Sequence, residues 1–178
     1  MPIEEVVKLL SKLKPASEGS LMFEEERVIL TTATFLVDAL KMLPEERFGK
    51  IVETIYHKAF VKYGRWLAEE KEFLGPRGVV EDLLRLFAAY GWGKTELVSF
   101  DEETLSVSFR VYASIYGERY RKLSEYKDEA FTPQCPMGYA VEGALSFFAQ
   151  KKGVPPPVSE EVKCIARGDP YCEFVIIT

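Results

Sequence analysis

The sequence predicts an α+β fold, an antiparallel sheet packed with several helices. Three observations predict it. Apolar residues recur at three-to-four spacing from Phe48 to Leu67, the period of a helix with one buried face. Leu105, Val107, Phe109 and Val111 alternate at period two, as in a strand with one buried face. Candidate strands come in neighbouring pairs joined by short polar turns, and helices pack against such a sheet.

Ile3, Val6, Val7, Leu10 and Leu13 predict a short amphipathic helix over 3–13, ended by Pro15. Residues 17–20 read as a turn. Leu21–Phe23 and Arg27–Leu30 read as strands joined by the polar run Glu24-Glu25-Glu26. Thr31, Thr32 and Thr34 offer N-caps for a helix through Phe35, Leu36, Ala39, Leu40 and Met42. After Pro44 comes the strongest helix, carrying Phe48, Ile51, Val52, Ile55, Tyr56, Ala59, Phe60, Tyr63, Trp66 and Leu67. A further helix covers 78–90 with Val79, Val80, Leu83, Leu84, Phe87 and Tyr90 inward, and Gly91-Trp92-Gly93 ends it, either glycine being able to take a left-handed cap. Strands Thr95–Phe100 and Thr104–Tyr112 flank Asp101-Glu102-Glu103. Residues 113–134 read as a loop or short helix. Pro136 opens a helix with Met137, Ala140, Val141, Ala144, Leu145 and Phe148 in period, stopped by Gly153 and Pro155-Pro156-Pro157. Its small residues Gly138, Ala140, Gly143 and Ala144 predict close backbone packing. Strands Val158–Ala166 and Tyr171–Ile177 close the chain around Gly168-Asp169-Pro170.

At 178 residues the chain reads as one domain, 1–178, without an internal repeat or linker. A net charge of −5 without a basic stripe argues against direct nucleic-acid binding and against anionic membranes. No apolar run reaches a spanning helix, and Met-Pro-Ile-Glu-Glu is no signal peptide, so a cytoplasmic location is the default. The absence of Asn, with two Gln among abundant Glu and Lys, fits a thermophile.

The chemistry gathers at three cysteines, Cys135, Cys164 and Cys172. A turn centred on Gly168 sets Cys164 and Cys172 opposite each other on neighbouring strands, with Cβ atoms roughly 4.5–5.5 Å apart. Cys135, at a helix N-terminus, could supply a third thiolate, and Glu161 is the obvious carboxylate for a fourth ligand. Zinc suits such a set. On spacing alone three readings stand: a metal site, inert core thiols, or a disulfide. The last is disfavoured by a reducing compartment.

The stretch Glu161-Val-Lys-Cys164-Ile-Ala-Arg-Gly168-Asp169-Pro170-Tyr-Cys172-Glu-Phe174 resembles the C-terminal signature of 4-vinyl reductase domains. Gly91-Trp92-Gly93, Cys135-Pro136 and Arg27-Val-Ile-Leu are similar to that family as well. The resemblance spans roughly residues 20–178. It implies the fold shared with TRAPP tethering subunits and haem-nitric-oxide-binding-like sensors. It also implies a zinc ion on Cys135, Glu161, Cys164 and Cys172, as in the family's phenol sensors. In a regular strand Glu161 and Cys164 would point to opposite faces, so a shared metal requires a bulge or strand start between them; Glu160, Asp169 or a water could replace Glu161. A closed set of three thiolates and a carboxylate is a structural brace and a poor Lewis acid.

The resemblance therefore implies a sensor-type module that binds an apolar or aromatic small molecule in an internal cavity. Tyr56, Phe60, Tyr63, Trp66, Trp92 and Phe109 are its candidate lining, with ordinary core as the competing role. Output would pass to another protein, with a homodimer expected. The alternatives are a subunit related to tetrapyrrole vinyl reductases and a TRAPP-like scaffold. The reading leans away from an enzyme. There is no nicotinamide, flavin or phosphate-loop motif, no GxSxG elbow, and one histidine, His57, that reads as a surface or core-rim residue. No catalytic residue is assigned.

Overall fold

The computed structural model describes residues 11–15, 21–23, 26–28, 45–124 and 134–178. Among the described residues it is an α+β fold with a four-stranded antiparallel sheet and four helices. The helices expected over 3–13 and 35–42 lie largely or wholly outside the described residues. Within the first, Leu13–Pro15 is a strand, β1, pairing antiparallel with β2 (Leu21–Phe23), which pairs with β3 (Glu26–Val28). Pro15 is accommodated because β1 is an edge strand, where no ladder bond is demanded on its outer side.

Helix α1 (Glu45–Glu70) follows, then a 3-10 turn Glu72–Leu74 and α2 (Gly75–Ala89). Gly91 takes a positive φ of 78° just past α2, as the Gly-Trp-Gly punctuation predicts. Strands β4 (Lys94–Asp101) and β5 (Ser106–Tyr112) form a hairpin with a register shift between Leu97 and Ser99. Within 113–134, where the sequence predicts a loop or short helix, Ile115–Ser124 forms helix α3. Helix α4 (Pro136–Lys152) ends on Gly153 in the left-handed region at φ 69°. Strand β6 (Val158–Lys163) is shorter than expected. Cys164 leaves the ladder and a 3-10 turn, Ile165–Arg167, precedes β7 (Cys172–Ile177). The sheet order is β4-β5-β7-β6.

Helix α4 is the centre of the molecule. From Pro136 to Ala149 every residue but Ser146 is buried, because α1 and α2 cover it on one side and β6 and β7 on the other. A helix apolar all round is what such a position demands. The small residues let neighbours come close. A Cβ at Gly64 would overlap the carbonyl oxygen of Ala140, and one at Gly143 would overlap that of Val61, so α1 and α4 cross backbone to backbone. On the other side a Cβ at Gly138 would stand 2.9 Å from the Phe174 ring.

The inner face of the sheet carries Val107, Phe109 and Val111 of β5 beside Ile176, Phe174 and Cys172 of β7, and Ser159 and Glu161 of β6. Its outer face carries charged and aromatic side chains. Glu173 bridges Arg110 at 2.8 Å and Lys163 at 2.9 Å, and both cations lie against the Tyr171 ring. Among the described residues no helix is long and apolar enough to cross a membrane.

Candidate metal centre and aromatic cluster

The decisive local feature is a bulge. Glu161 pairs with Phe174 and Lys163 with Glu173, so β6 advances two residues while β7 advances one. Val162 is the extra residue; it points outward and is exposed. The bulge resets the alternation, and Cys164 faces inward with Glu161 although the two are three apart. One ligand atom from each of Glu161, Cys164 and Cys172 lies within 4.8 Å of the others, all three residues buried. Neither Glu160 nor Asp169 belongs to this trio. Glu160 is exposed, and Asp169 Oδ2 accepts the Cys164 N–H at 2.8 Å, closing the turn.

Cys135 stands beside this trio and outside its 4.8 Å circle. It precedes Pro136 with extended backbone, and its N–H donates to Glu161 Oε2 at 3.0 Å. Its Sγ lies 3.9 Å from Ser114 Oγ. Three of the four residues named from sequence therefore meet through their side chains, and the fourth joins through its backbone.

Burial sets the electrostatics. It raises the Glu161 carboxyl, against the pull of the Cys135 N–H. Burial, with the Glu161 charge adding to it, pushes the Cys135 thiol well above the usual thiol range. The Cys172 thiol is raised by its hydrogen bond with Cys164 and then by burial. Glu161 Oε1 has no hydrogen-bond partner, which is costly for a buried carboxylate oxygen. The Ile165 N–H donates to Cys172 Sγ at 3.5 Å. Two thiols and an orphaned carboxylate oxygen in one dry pocket are a donor set that fits a soft divalent cation.

A cluster of rings adjoins the trio. Tyr56 of α1 packs edge-on to Phe60 and Tyr116, with centroids at 5.9 and 6.0 Å. Trp92 contacts Phe60 at 5.7 Å, stacks on Phe87 at 5.0 Å and meets Tyr116 at 5.4 Å. Tyr116 reaches Tyr120 at 6.1 Å. Tyr56, Phe60 and Trp92 are half-buried, whereas Phe87, Tyr116 and Tyr120 are buried. Of the other aromatics named from sequence, Tyr63 pairs with Trp66 farther along α1, where Trp66 is 40% exposed. Phe109 stacks on Phe174 in the sheet. Tyr116 and Tyr120 were not among the candidates, although their i, i+4 spacing was the available signal.

Helix α3 ties the two features together. Ser114 accepts the Gly117 N–H at 3.2 Å, as an N-cap does. Gly117 lies on the trio, since a Cβ there would stand 3.0 Å from Cys172 Sγ. Tyr116 and Tyr120 of the same helix enter the ring cluster. His57 sits apart, half-exposed, with Nε2 2.9 Å from Glu142 Oε1. The buried Glu142 uses its second oxygen to accept the Ser159 N–H at 2.9 Å.

No protein-family model matches the chain, and no curated protein does. Among solved structures, it is similar to the crystal structure of the phenol-responsive sensory domain of the transcription activator PoxR with phenol. That likeness has a TM-score of 0.67 at 18% identity, covering 98% of this chain and 89% of that one. It shows the fold.

Proposed function

We propose that this chain is a small-molecule-binding sensory domain of the 4-vinyl reductase type. Its ligand is an apolar aromatic molecule held in an internal cavity among Tyr56, Phe60, Trp92, Tyr116 and Tyr120. Zinc serves as a structural brace on Glu161, Cys164 and Cys172, with Cys135 as fourth ligand once its side chain turns from Ser114. The observation that carries this reading is α3, whose Gly117 rests on Cys172 while Tyr116 and Tyr120 stand in the ring cluster. The sensory-domain fold of the PoxR structure supports it.

The bound zinc would supply fixed geometry rather than chemistry. Four protein ligands leave no open position, and thiolates quench Lewis acidity. The protein side chains do the rest. Glu161 gains the partner its buried oxygen lacks, and the turn Ile165–Arg167 is pinned beneath α3. In this reading the chain is one domain, acts in the cytoplasm as a homodimer, and passes its output to a second protein.

Native mass spectrometry of the purified protein tests it. One zinc per chain and a retained small aromatic molecule are expected. In Cys164→Ser, zinc should be lost together with thermal stability. A wild-type protein that takes up no zinc when offered it sinks the brace. Twice the chain mass in light scattering checks the dimer.

A further inference from the structure

Cys135 is held differently from the residues of the trio. Glu161, Cys164 and Cys172 bring their ligand atoms within 4.8 Å of one another, and the Cys135 sulfur lies outside that circle, in a seat of its own. Ser114 is wholly buried, and its hydroxyl stands 3.9 Å from Cys135 Sγ. The same hydroxyl accepts the Gly117 N–H at 3.2 Å, which leaves its proton to give, and the Cys135 sulfur is placed to take it. Burial is what most raises the Cys135 thiol, and the Met137 N–H and the Ser114 hydroxyl pull the other way, so the seat itself supports the sulfur. The Cys135 backbone is tied to the trio instead, through its N–H on Glu161 Oε2 at 3.0 Å. A turn about its Cα–Cβ bond therefore moves the sulfur between two places while the chain stays where it is.

We infer that Cys135 is the displaceable ligand of the metal centre, exchanged between the metal and the Ser114 hydroxyl, while Glu161, Cys164 and Cys172 carry the ion. This rests on the zinc reading above and adds an unequal division of labour among the ligands. The exchange has a route outward. Ser114 accepts the Gly117 N–H at the start of α3, and Cys135 is the N-cap residue of α4, so the sulfur passes between a contact with one helix and a bond to the ion. Helix α3 also carries Tyr116 and Tyr120 into the ring cluster. Whether Ser114 holds the sulfur or has lost it is thus felt at the first turn of the helix that joins the metal centre to the rings.

Cobalt(II) in place of zinc tests this on the full chain, because the thiolate-to-cobalt charge-transfer band grows with the number of bound thiolates. Cys135→Ala should still take up one cobalt per chain, with affinity lowered about tenfold, the scale of a supporting group. Cys164→Ala should lose the ion. In Ser114→Ala, at saturating cobalt, the band should rise above that of wild type toward the intensity of three thiolates, since the sulfur has lost its other seat. The same Ser114→Ala change made in Cys135→Ala should leave the band as it was, which separates the exchange from any effect of removing the α3 cap. Two results overturn the inference singly and leave the zinc reading standing: Cys135→Ala losing cobalt as fully as Cys164→Ala, or a band unchanged by Ser114→Ala in the otherwise wild-type chain. Wild-type protein that binds neither cobalt nor zinc overturns the inference and the zinc reading together.

Discussion

Gly117 lies directly on Cys172, so that a Cβ added to the glycine would stand 3.0 Å from the cysteine sulfur and 3.1 Å from Ile165 Cβ. The contact joins α3 to the turn that presents Cys164 and Cys172, and through Tyr116 and Tyr120 to the ring cluster. Gly117→Ala must push this helix a few tenths of an ångström from the turn. For the zinc brace proposed above, zinc affinity measured by chelator competition should fall about tenfold, as for other changes that displace a ligand's support. Unchanged affinity would mean that the turn holds its geometry without α3.

The crossing of α1 and α4 depends on having no side chain at Gly64. Gly64→Ala drives a methyl into the backbone of Ala140, which cannot rotate away. Urea unfolding should show a loss of about 1–3 kcal/mol or more, the usual range for overpacking. Lys62→Ala, on the exposed side of the same helix, serves as the control and should lie within about 0.5 kcal/mol of wild type.

Glu142 is buried and holds the Ser159 N–H at the start of β6. Glu142→Ala leaves that amide without its acceptor and should cost about 1–3 kcal/mol. His57→Ala should cost less, because the imidazole side chain is 46% exposed and its pairing with Glu142 is screened by water. Chemical denaturation of the two variants side by side decides the order; equal losses would mean that Glu142 acts mainly through His57.

Asp101 accepts the N–H groups of Glu103 and Thr104 at 2.9 and 3.1 Å in the β4–β5 turn. These bonds, that of Thr104 first, hold its carboxyl below the ordinary value of 3.8. A carboxyl lowered on folding adds stability above its unfolded pKa, and the contribution fades as pH falls through the folded one. Asp101→Asn should therefore be slightly less stable than wild type above about pH 4 and converge with it in acid. A gap that widened on acidification would contradict this sign.

Much of the fold was legible because its signals are local. Period-two alternation in 105–111 and the three-to-four stripe of α1 are written in neighbouring residues, and Pro136 and Gly153 mark the ends of α4. The small residues of α4 announced close packing, which the contacts of Gly138 and Gly143 realise on opposite sides of the helix. Strand β6 ran short of expectation because the Asp169 carboxylate draws the Cys164 N–H out of the ladder, an effect of the turn rather than of strand propensity.

The candidate site divides along the same line. Spacing alone left a metal site, inert thiols and a disulfide open; the family resemblance named Glu161 with Cys135, Cys164 and Cys172, and strand geometry asked for a bulge or strand start between Glu161 and Cys164. Only pairing with β7 decided that Val162 is the bulged residue, and only tertiary structure set the Cys135 sulfur 3.9 Å from Ser114 Oγ. The aromatic residues show the limit most plainly. Sequence placed Tyr56, Phe60, Tyr63, Trp66, Trp92 and Phe109 in one group because apolar type is visible locally. Tertiary structure stacked Phe109 on Phe174, away from the other rings, and brought Tyr116 against Tyr56 and Trp92, because these contacts join segments far apart in the chain.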